Sequence, residues 1–538
     1  MQSRKGTTLF SASDLVNFMG CAHATVLDLR QMIAPVALPA DDDHAVLLQQ
    51  KGIEHEVAFL ERLKAEGKTV VEIVGDDDID AKSARTREAL RDGKDVIYQG
   101  AFLEGPWQGY SDFLLKVPLP SALGDYSYEV ADTKLARSAK PKHLIQMCIY
   151  SDILAREQRV PPERMHVALG DGTIATVRVD AVIHYFQFAR ERFLEFASAP
   201  PEISAGSPCG HCTFCRWATA CDAEWQAADH LSIVAGLTRG QAEALRASGV
   251  PDLGALAVLP VGTRIDSVQP ETLWRLREQA RLQAHQRRTG ERVVEQLIPG
   301  PGRGLARLPQ PSDGDMFFDM EGDPLFDGGL EYLFGIVTVD GGEERFHEFW
   351  AHDRDEERAA FQAAVDFMVD RLASHPDAHI YHYASYEESA LKRLAMLHGT
   401  RENAVDDFLR GHRLVDLYRV VREAIRTSEP AYSIKNMEKF YLGAAREGEV
   451  TTAGDSIVMY ERWRRTGDDQ LLADIGEYNR VDCSSTLMCR DWLAGMRAPD
   501  APWFTPPPEE AARGGTDARN EAERLAAIGR SQLVNDAY

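Results

Sequence analysis

The sequence predicts a mixed α/β, multidomain chain, and three observations carry that reading. At 538 residues the chain is too long for one compact domain and suggests about three or four at roughly 150 residues each. Strand-like and helix-like patterns alternate over residues 1–200 and again over 315–495. Between them lies a linker composition, with Pro299, Gly300, Pro301, Gly302, Gly304, Pro309, Pro311 and Gly314. A hydrophobic content of 44% with 27% charged residues excludes general disorder.

Residues 45–66 place Val46, Leu47, Ile53, Val57, Leu60 and Leu63 at helical spacing. Residues 96–117 read as two strands around Gly105-Pro106, 126–135 as a third, and 141–156 as a helix. Residues 199–208 form a turn-rich entry to a cysteine cluster. Residues 230–295 read as wholly helical, broken at Gly249-Val250-Pro251 and Pro260. Residues 315–350 read as strand, turn, strand. Helical periodicity follows at 355–375, 386–399, 415–427 and 470–493, around a strand at Ala378–His382. The resulting division is 1–228, a helical connector 229–298, the linker 299–314, a second α/β domain 315–495, and a polar tail 496–538.

The net charge of −24 is uneven: residues 1–300 hold 33 basic and 40 acidic side chains, residues 301–538 hold 27 and 44. This excludes a protein that coats nucleic acid through bulk charge and leaves room for local basic surfaces. Lys134, Arg137, Lys140 and Lys142 form a run without an acidic residue. The helical stretch 270–292 carries six Arg against three Glu. The N-terminus has no apolar signal core and no apolar run approaches the ~18 residues of a membrane helix. The expected location is cytoplasmic, without a membrane partner.

Two constellations carry chemistry. In Ala131-Asp132-Thr133-Lys134, Asp132 and Lys134 share a strand face and Glu129 points away. A neighbouring strand brings Asp112 alongside, and Gly52-Ile53-Glu54-His55-Glu56 offers an imidazole from a helix. Paired carboxylates suit Mg²⁺, and an adjacent lysine stabilises hydroxide and phosphate charge. In the second domain, Asp319-Met320-Glu321 ends an apolar strand, Glu387 follows a His-rich strand, and Tyr478 and Asp482 share a helix face. Four carboxylates suit two divalent ions that clamp a phosphodiester. Asp416 is the substitute candidate should Glu387 not reach the metal. The cysteines 209, 212, 215 and 221 lie within thirteen residues, a density that points to zinc or an iron–sulfur cluster.

The order Gly-x-x-His, Asp112, Asp132-x-Lys134, then Gln146-x-x-x-Tyr150 resembles the RecB-type branch of the PD-(D/E)XK nucleases. The resemblance implies a restriction-endonuclease-like core, His55, Asp112 and Asp132 as ligands of Mg²⁺ or Mn²⁺, and Lys134 as catalytic lysine. Gln146, Tyr150, Lys140 and Lys142 would contact DNA. Iron–sulfur members of that branch place one cysteine before the nuclease motifs and three after. By that resemblance Cys21, Cys212, Cys215 and Cys221 hold a 4Fe–4S cluster and Cys209 is surplus, with Zn²⁺ the alternative and His23 and His211 alternative ligands. The second constellation resembles the DEDD exonucleases of the RNase H-like fold in their tyrosine variant. There Asp319, Glu321, Glu387 and Asp482 would hold metal and Tyr478 would position water. Tyr432–Asn436 falls where that family contacts substrate. Glu387 departs from the family's usual Asp. Residues 234–250 have turns of the helix-hairpin-helix kind, or form a plain spacer.

Together these resemblances imply a two-site DNA nuclease, including 3′-5′ exonuclease activity, for single-stranded or duplex ends in DNA repair or defence. The alternatives are RNA or an RNA–DNA hybrid as substrate, and one domain serving only as a docking module. With no Gly-x4-Gly-Lys-Ser/Thr phosphate loop, any helicase would be a separate partner.

Overall fold

The computed structural model describes residues 1–506 apart from 5, 76, 299, 301 and 443–452. Most of the expected polar tail therefore lies outside the described residues. The chain divides into two compact units. The first comprises Met1–His285 with Asp323–Leu330 and Thr452–Thr466, and the second takes the remainder.

The first unit is built on a six-stranded sheet: β1 (Val70–Glu72), β2 (Val96–Glu104), β3 (Trp107–Val117), β4 (Ser127–Lys134), β5 (Arg164–Leu169) and β6 (Ile174–Arg178), in that spatial order. Strands β2, β3 and β4 form an antiparallel meander, and β5 joins β4 in parallel. A parallel neighbour needs a crossover, and the helix α2 (Pro141–Glu157) supplies it. Helix α1 (Asp43–Ala65) opens on Asp42, whose side chain accepts from the Ala45 amide, a cap of the usual acidic kind. It lays Phe59, Leu60 and Leu63 on Phe113 and Ala131. The helix Ala453–Thr466 also belongs to this unit, and Lys51 of α1 pairs with its Glu461 at 2.6 Å.

The residues expected to be wholly helical contain short helices at Arg239–Ala247 and Leu253–Ala257 and the long α3 (Pro270–Thr289). The helical reading fails at its end. Gly290, at φ +77°, stops α3 in a conformation that favours glycine. Val294–Gln296 then forms a strand paired with Ile425–Thr427.

The second unit holds a five-stranded sheet of β7 (Met316–Asp323), β8 (Leu330–Asp340), β9 (Glu343–Trp350), β10 (Ile380–His382) and β11 (Leu414–Asp416). Their spatial order is β9-β8-β7-β10-β11. Where strand, turn, strand was expected there are three strands, with Gly341 and Gly342 at positive φ making the second turn. Strand β7 is buried on both faces, so it reads as a continuous apolar run instead of an alternating one. Phe318, Phe334, Phe361 and Leu391 fill the core on one side. The stretch expected as one helix at 415–427 is split. Asp416 caps a helix at Leu417–Ala424, and the β-branched Ile425 and Thr427 favour extended pairing. Helices α4 (Tyr386–His398), α5 (Ile434–Tyr441) and α6 (Asp469–Gly495) complete the site region.

Candidate metal centres

In the first unit the pairing Phe113↔Ala131 sets Asp112 opposite Asp132 across β3 and β4. The Thr133 amide donates to Asp112 Oδ2 at 3.2 Å, and Lys134 Nζ pairs with Asp132 Oδ2 at 2.7 Å. Burial, followed by hydrogen bonding and repulsion from Asp132, pushes the Asp112 carboxyl up to about 8; Lys134 works against this. Glu129 faces away from this centre and binds the Arg164 amide and His166 of β5.

Helix α1 contributes two groups. His55 Nε2 donates to the Ala168 carbonyl at 3.1 Å, so Nδ1 is the ring nitrogen left for a cation. Glu56 points toward the carboxylates, held by Gln99 and Tyr98, and burial followed by the Asp112 charge raises its pKa. Glu56 was part of the quoted motif, but His55 was preferred as the donor. One residue along a helix turns the side chain by about 100°, and that turn puts Glu56 beside Asp112. Gln146 is half-buried on α2, and Lys140 and Lys142 are exposed at its start. Lys142 lies over the Phe214 ring at 5.1 Å. Tyr150, expected to contact a strand, is 7% exposed and stacks on Phe102, with its hydroxyl filling the space over Gly109. That placement makes it a packing residue with little surface for nucleic acid.

In the second unit, Asp319 and Glu321 of β7 meet Asp482 of α6, and one ligand atom from each lies within 4.8 Å of the others. Such a triad can hold a metal ion. Asp319 Oδ2 accepts from Asn479 Nδ2 at 2.7 Å. Burial, then the charges of Asp482, Glu321 and Glu387, push the Asp319 carboxyl well above its ordinary range. Glu387, despite its longer arm, reaches this centre and helps to raise the Asp319 carboxyl. His382 Nδ1 stands 3.4 Å from Glu387. Burial lowers the His382 pKa, but the bond to Glu387, the charges of Glu387 and Asp416 and the Ala384 carbonyl together outweigh it and raise it.

Asp416 does not act as the substitute for Glu387. Its Oδ1 accepts from the amides of Ala384, Tyr418 and Arg419. It therefore caps a helix and pins the loop that leads into Glu387. The start of α4 is further held by Tyr386, whose hydroxyl donates to Glu331 Oε2 at 2.9 Å.

The approach of α6 to the sheet depends on Gly335. A Cβ there would lie 1.7 Å from Asn479 Oδ1, a contact that forces the amide aside. Tyr478 is mostly buried, with Lys435 Nζ 3.3 Å from its hydroxyl and over its ring. Asn479 and Lys435 were missed as site residues. Lys435 stood inside the segment already singled out, whereas Asn479 had no signal beyond its place between Tyr478 and Asp482.

The cysteines form a third cluster. Cys209 and Cys212 sulfurs lie 3.9 Å apart. Burial, then the Glu224 charge and neighbouring thiols, raise Cys221 to about 11, and burial leads the upward shifts of Cys212 and Cys215. Cys21 contributes to all three shifts, which places it in the same cluster. His23 Nδ1 bonds Ser204 at 2.8 Å, and the His211 ring packs over Gly20.

Two predictions follow from these centres. Folding leaves Asp112 protonated up to about pH 8, whereas an unfolded aspartate ionises near 4. The unfolded state therefore binds fewer protons between these values, and metal-free stability falls as pH rises through that window, by up to about 1.4 kcal/mol per unit. Urea unfolding in EDTA at pH 5 to 8 should show this slope, and Asp112→Asn should flatten it. In the second centre, Asn479→Ala and Gly335→Ala should each weaken Mn²⁺ binding about 10- to 100-fold. Calorimetry in an Asp112→Asn background measures it, and unchanged affinity in both variants would remove Asn479 from the site.

Among the described residues no helix is long and apolar enough to cross a membrane. No curated protein matches the chain. Residues 316–494 match the family model of the RNase H superfamily, a span that includes Asp319, Glu321, Glu387, Lys435, Tyr478 and Asp482. Residues 316–494 therefore form an RNase H-like domain.

Proposed function

We propose that this protein is a metal-dependent DNA nuclease with two separate phosphodiester-cleaving centres. The acidic triad of Asp319, Glu321 and Asp482 inside the RNase H-like span is the observation that carries it. With Glu387 these residues would hold two Mg²⁺ or Mn²⁺ ions, which supply Lewis-acid stabilisation and an activated water. The chain's own groups orient this chemistry. Asn479 fixes Asp319, and Tyr478, steadied by Lys435, presents a hydroxyl that positions the attacking water for cleavage at a 3′ end.

The first unit supports the reading as a RecB-like nuclease. Its run of helix, three-stranded meander, helix and parallel strand carries Glu56, Asp112, Asp132 and Lys134 into one place. In this reading Asp112, Asp132 and His55 hold the metal, with Glu56 beside them. Lys134 then stabilises charge developing on the phosphate. Trimming of DNA ends in repair or defence is the role that two such centres suit.

The crowded cysteines suit a metal group, because binding one would remove the cost of packing several thiols together. We assign Cys21, Cys212, Cys215 and Cys221 to a 4Fe–4S cluster that ties the ends of this domain together. One observation favours zinc with Cys209 instead: tetrahedral Zn–S bonds of about 2.3 Å put sulfurs roughly 3.8 Å apart, close to the Cys209–Cys212 separation of 3.9 Å.

With Mn²⁺ and labelled single-stranded DNA, duplex DNA, RNA and RNA–DNA hybrid, Lys134→Ala and Asp319→Ala should each remove one cleavage activity by about 100-fold or more. If neither substitution alters cleavage of any substrate, the nuclease reading fails. If only one does, the other domain serves as a docking module. Anaerobic purification should give a brown protein absorbing near 400 nm. A colourless protein with stoichiometric zinc would overturn the iron–sulfur assignment.

A further inference from the structure

We infer that the helical segment between the two candidate centres in sequence carries a binding site for one unpaired nucleobase of a single strand, with Trp274 as its stacking face. This rests on the nuclease reading for the source of the strand. A cavity of about 220 Å³ opens between the loop Leu259–Arg264 and the start of α3. That is below the ~300 Å³ at which pockets for drug-sized ligands begin, and it suits one flat heterocycle. Leu259, Pro260 and Leu273 give it apolar walls. Trp274 stands at its edge with 49% of its surface exposed, an uncommon state for so large a ring.

The site is built before anything binds. Arg277 Nε donates to the Leu259 carbonyl at 2.6 Å, and Thr263 Oγ1 donates to Pro260 at 2.7 Å, so both ends of the loop are fixed. Ile265, Val268, Leu273 and Leu276 pack beneath it.

Charge selects the occupant. The lining includes Arg264 and Arg277 and no carboxylate, in a chain of net charge −24. Other cavities of the same unit include Asp43, Glu54 and Glu461, or Asp152, Glu163 and Asp180. Arg277 is offset by Glu278. Arg264, and Arg275 beside Trp274, are exposed and have no carboxylate partner among the described residues. An indole face flanked by uncompensated guanidinium groups fits a base and its adjoining phosphates.

The test uses the full chain in EDTA, with fluorescein-labelled dT20, rU20 and a 20-base-pair duplex followed by anisotropy. Trp274→Ala should weaken single-strand binding by about 5- to 100-fold, the range of base–aromatic stacking. Trp274→Phe should retain most of it, and duplex binding should change little. Arg264→Ala should reduce the salt dependence by about one phosphate contact, near 0.7 in the logarithmic slope. Ultraviolet cross-linking of an iodouracil oligonucleotide should map to Trp274. An equal loss with dT20 and rU20 marks a site blind to the sugar, and a loss with one alone assigns the site to that nucleic acid. Binding of both within twofold of the parent in Trp274→Ala overturns the inference. Hydrolysis of bis(p-nitrophenyl) phosphate with Mn²⁺ separates the two readings, since Asp319→Ala and Lys134→Ala should lower that rate whatever Trp274→Ala does to single-strand binding.

Discussion

Carboxylate repulsion in a space with little water is the constraint around which the second unit is arranged. Asp319, Glu321, Glu387 and Asp482 converge there, and burial with mutual charge drives Asp319 far toward its protonated form. Such a cluster is unfavourable unless protons or cations neutralise it. The fold must therefore hold these groups together against their own field. Strand β7 fixes two of them by being buried on both faces, and α6 brings the third. Two further supports hold the arrangement. Gly335 has no Cβ so that Asn479 can reach Asp319, and Asp416 gives its carboxylate to three amides so that the loop before Glu387 stays in place. Both surrender a side chain or a charge to geometry, as expected where a scaffold presents a preorganised site.

The first unit meets a similar problem differently. Asp112, Asp132 and Glu56 also crowd together, but a permanent cation sits among them. Lys134 pairs with Asp132 and opposes the upward shifts of Asp112 and Glu56. Part of the charge is thus balanced by the chain itself, and fewer external ions are required. In the proposed nuclease, Lys134 would stand beside the metal and act on the phosphate, whereas the four-carboxylate centre would draw its positive charge from bound ions.

Much of this was legible in the sequence, for identifiable reasons. Strand alternation and the i, i+2 rule placed Asp132 with Lys134 and Asp319 with Glu321, because a strand face is fixed by local geometry alone. Helical spacing likewise put Tyr478 and Asp482 on one side of α6. What local patterns do not encode is rotation of a helix about its own axis relative to a sheet. That rotation brings Glu56 beside Asp112, and it makes Tyr150 a packing residue. Asn479 was hidden for a related reason, since its role depends on a glycine 144 residues earlier in the chain. The split of 415–427 was missed because Ile425-Arg426-Thr427 finds its partner strand at Val294–Gln296, a long-range pairing that overrides local periodicity.

The charge distribution bears on how such a chain would hold nucleic acid. Sixty basic residues look ample, but many are spent inside the fold. Arg490 pairs with Asp315 and Asp491, Arg371 with Asp340, Arg401 with Asp366, and Lys439 with Glu429. These cations neutralise neighbours and release no counterions from a phosphate chain. The groups left to meet phosphate are local ones, such as Lys140 at the start of α2 and Arg264 and Arg275 by Trp274. Each phosphate contact contributes only about 0.7 to 0.9 to the logarithmic salt slope, so a protein of this kind should hold its strand with a shallow salt dependence. Its affinity then has to come from stacking, and from ions bound at the carboxylate centres, more than from the field of the whole molecule.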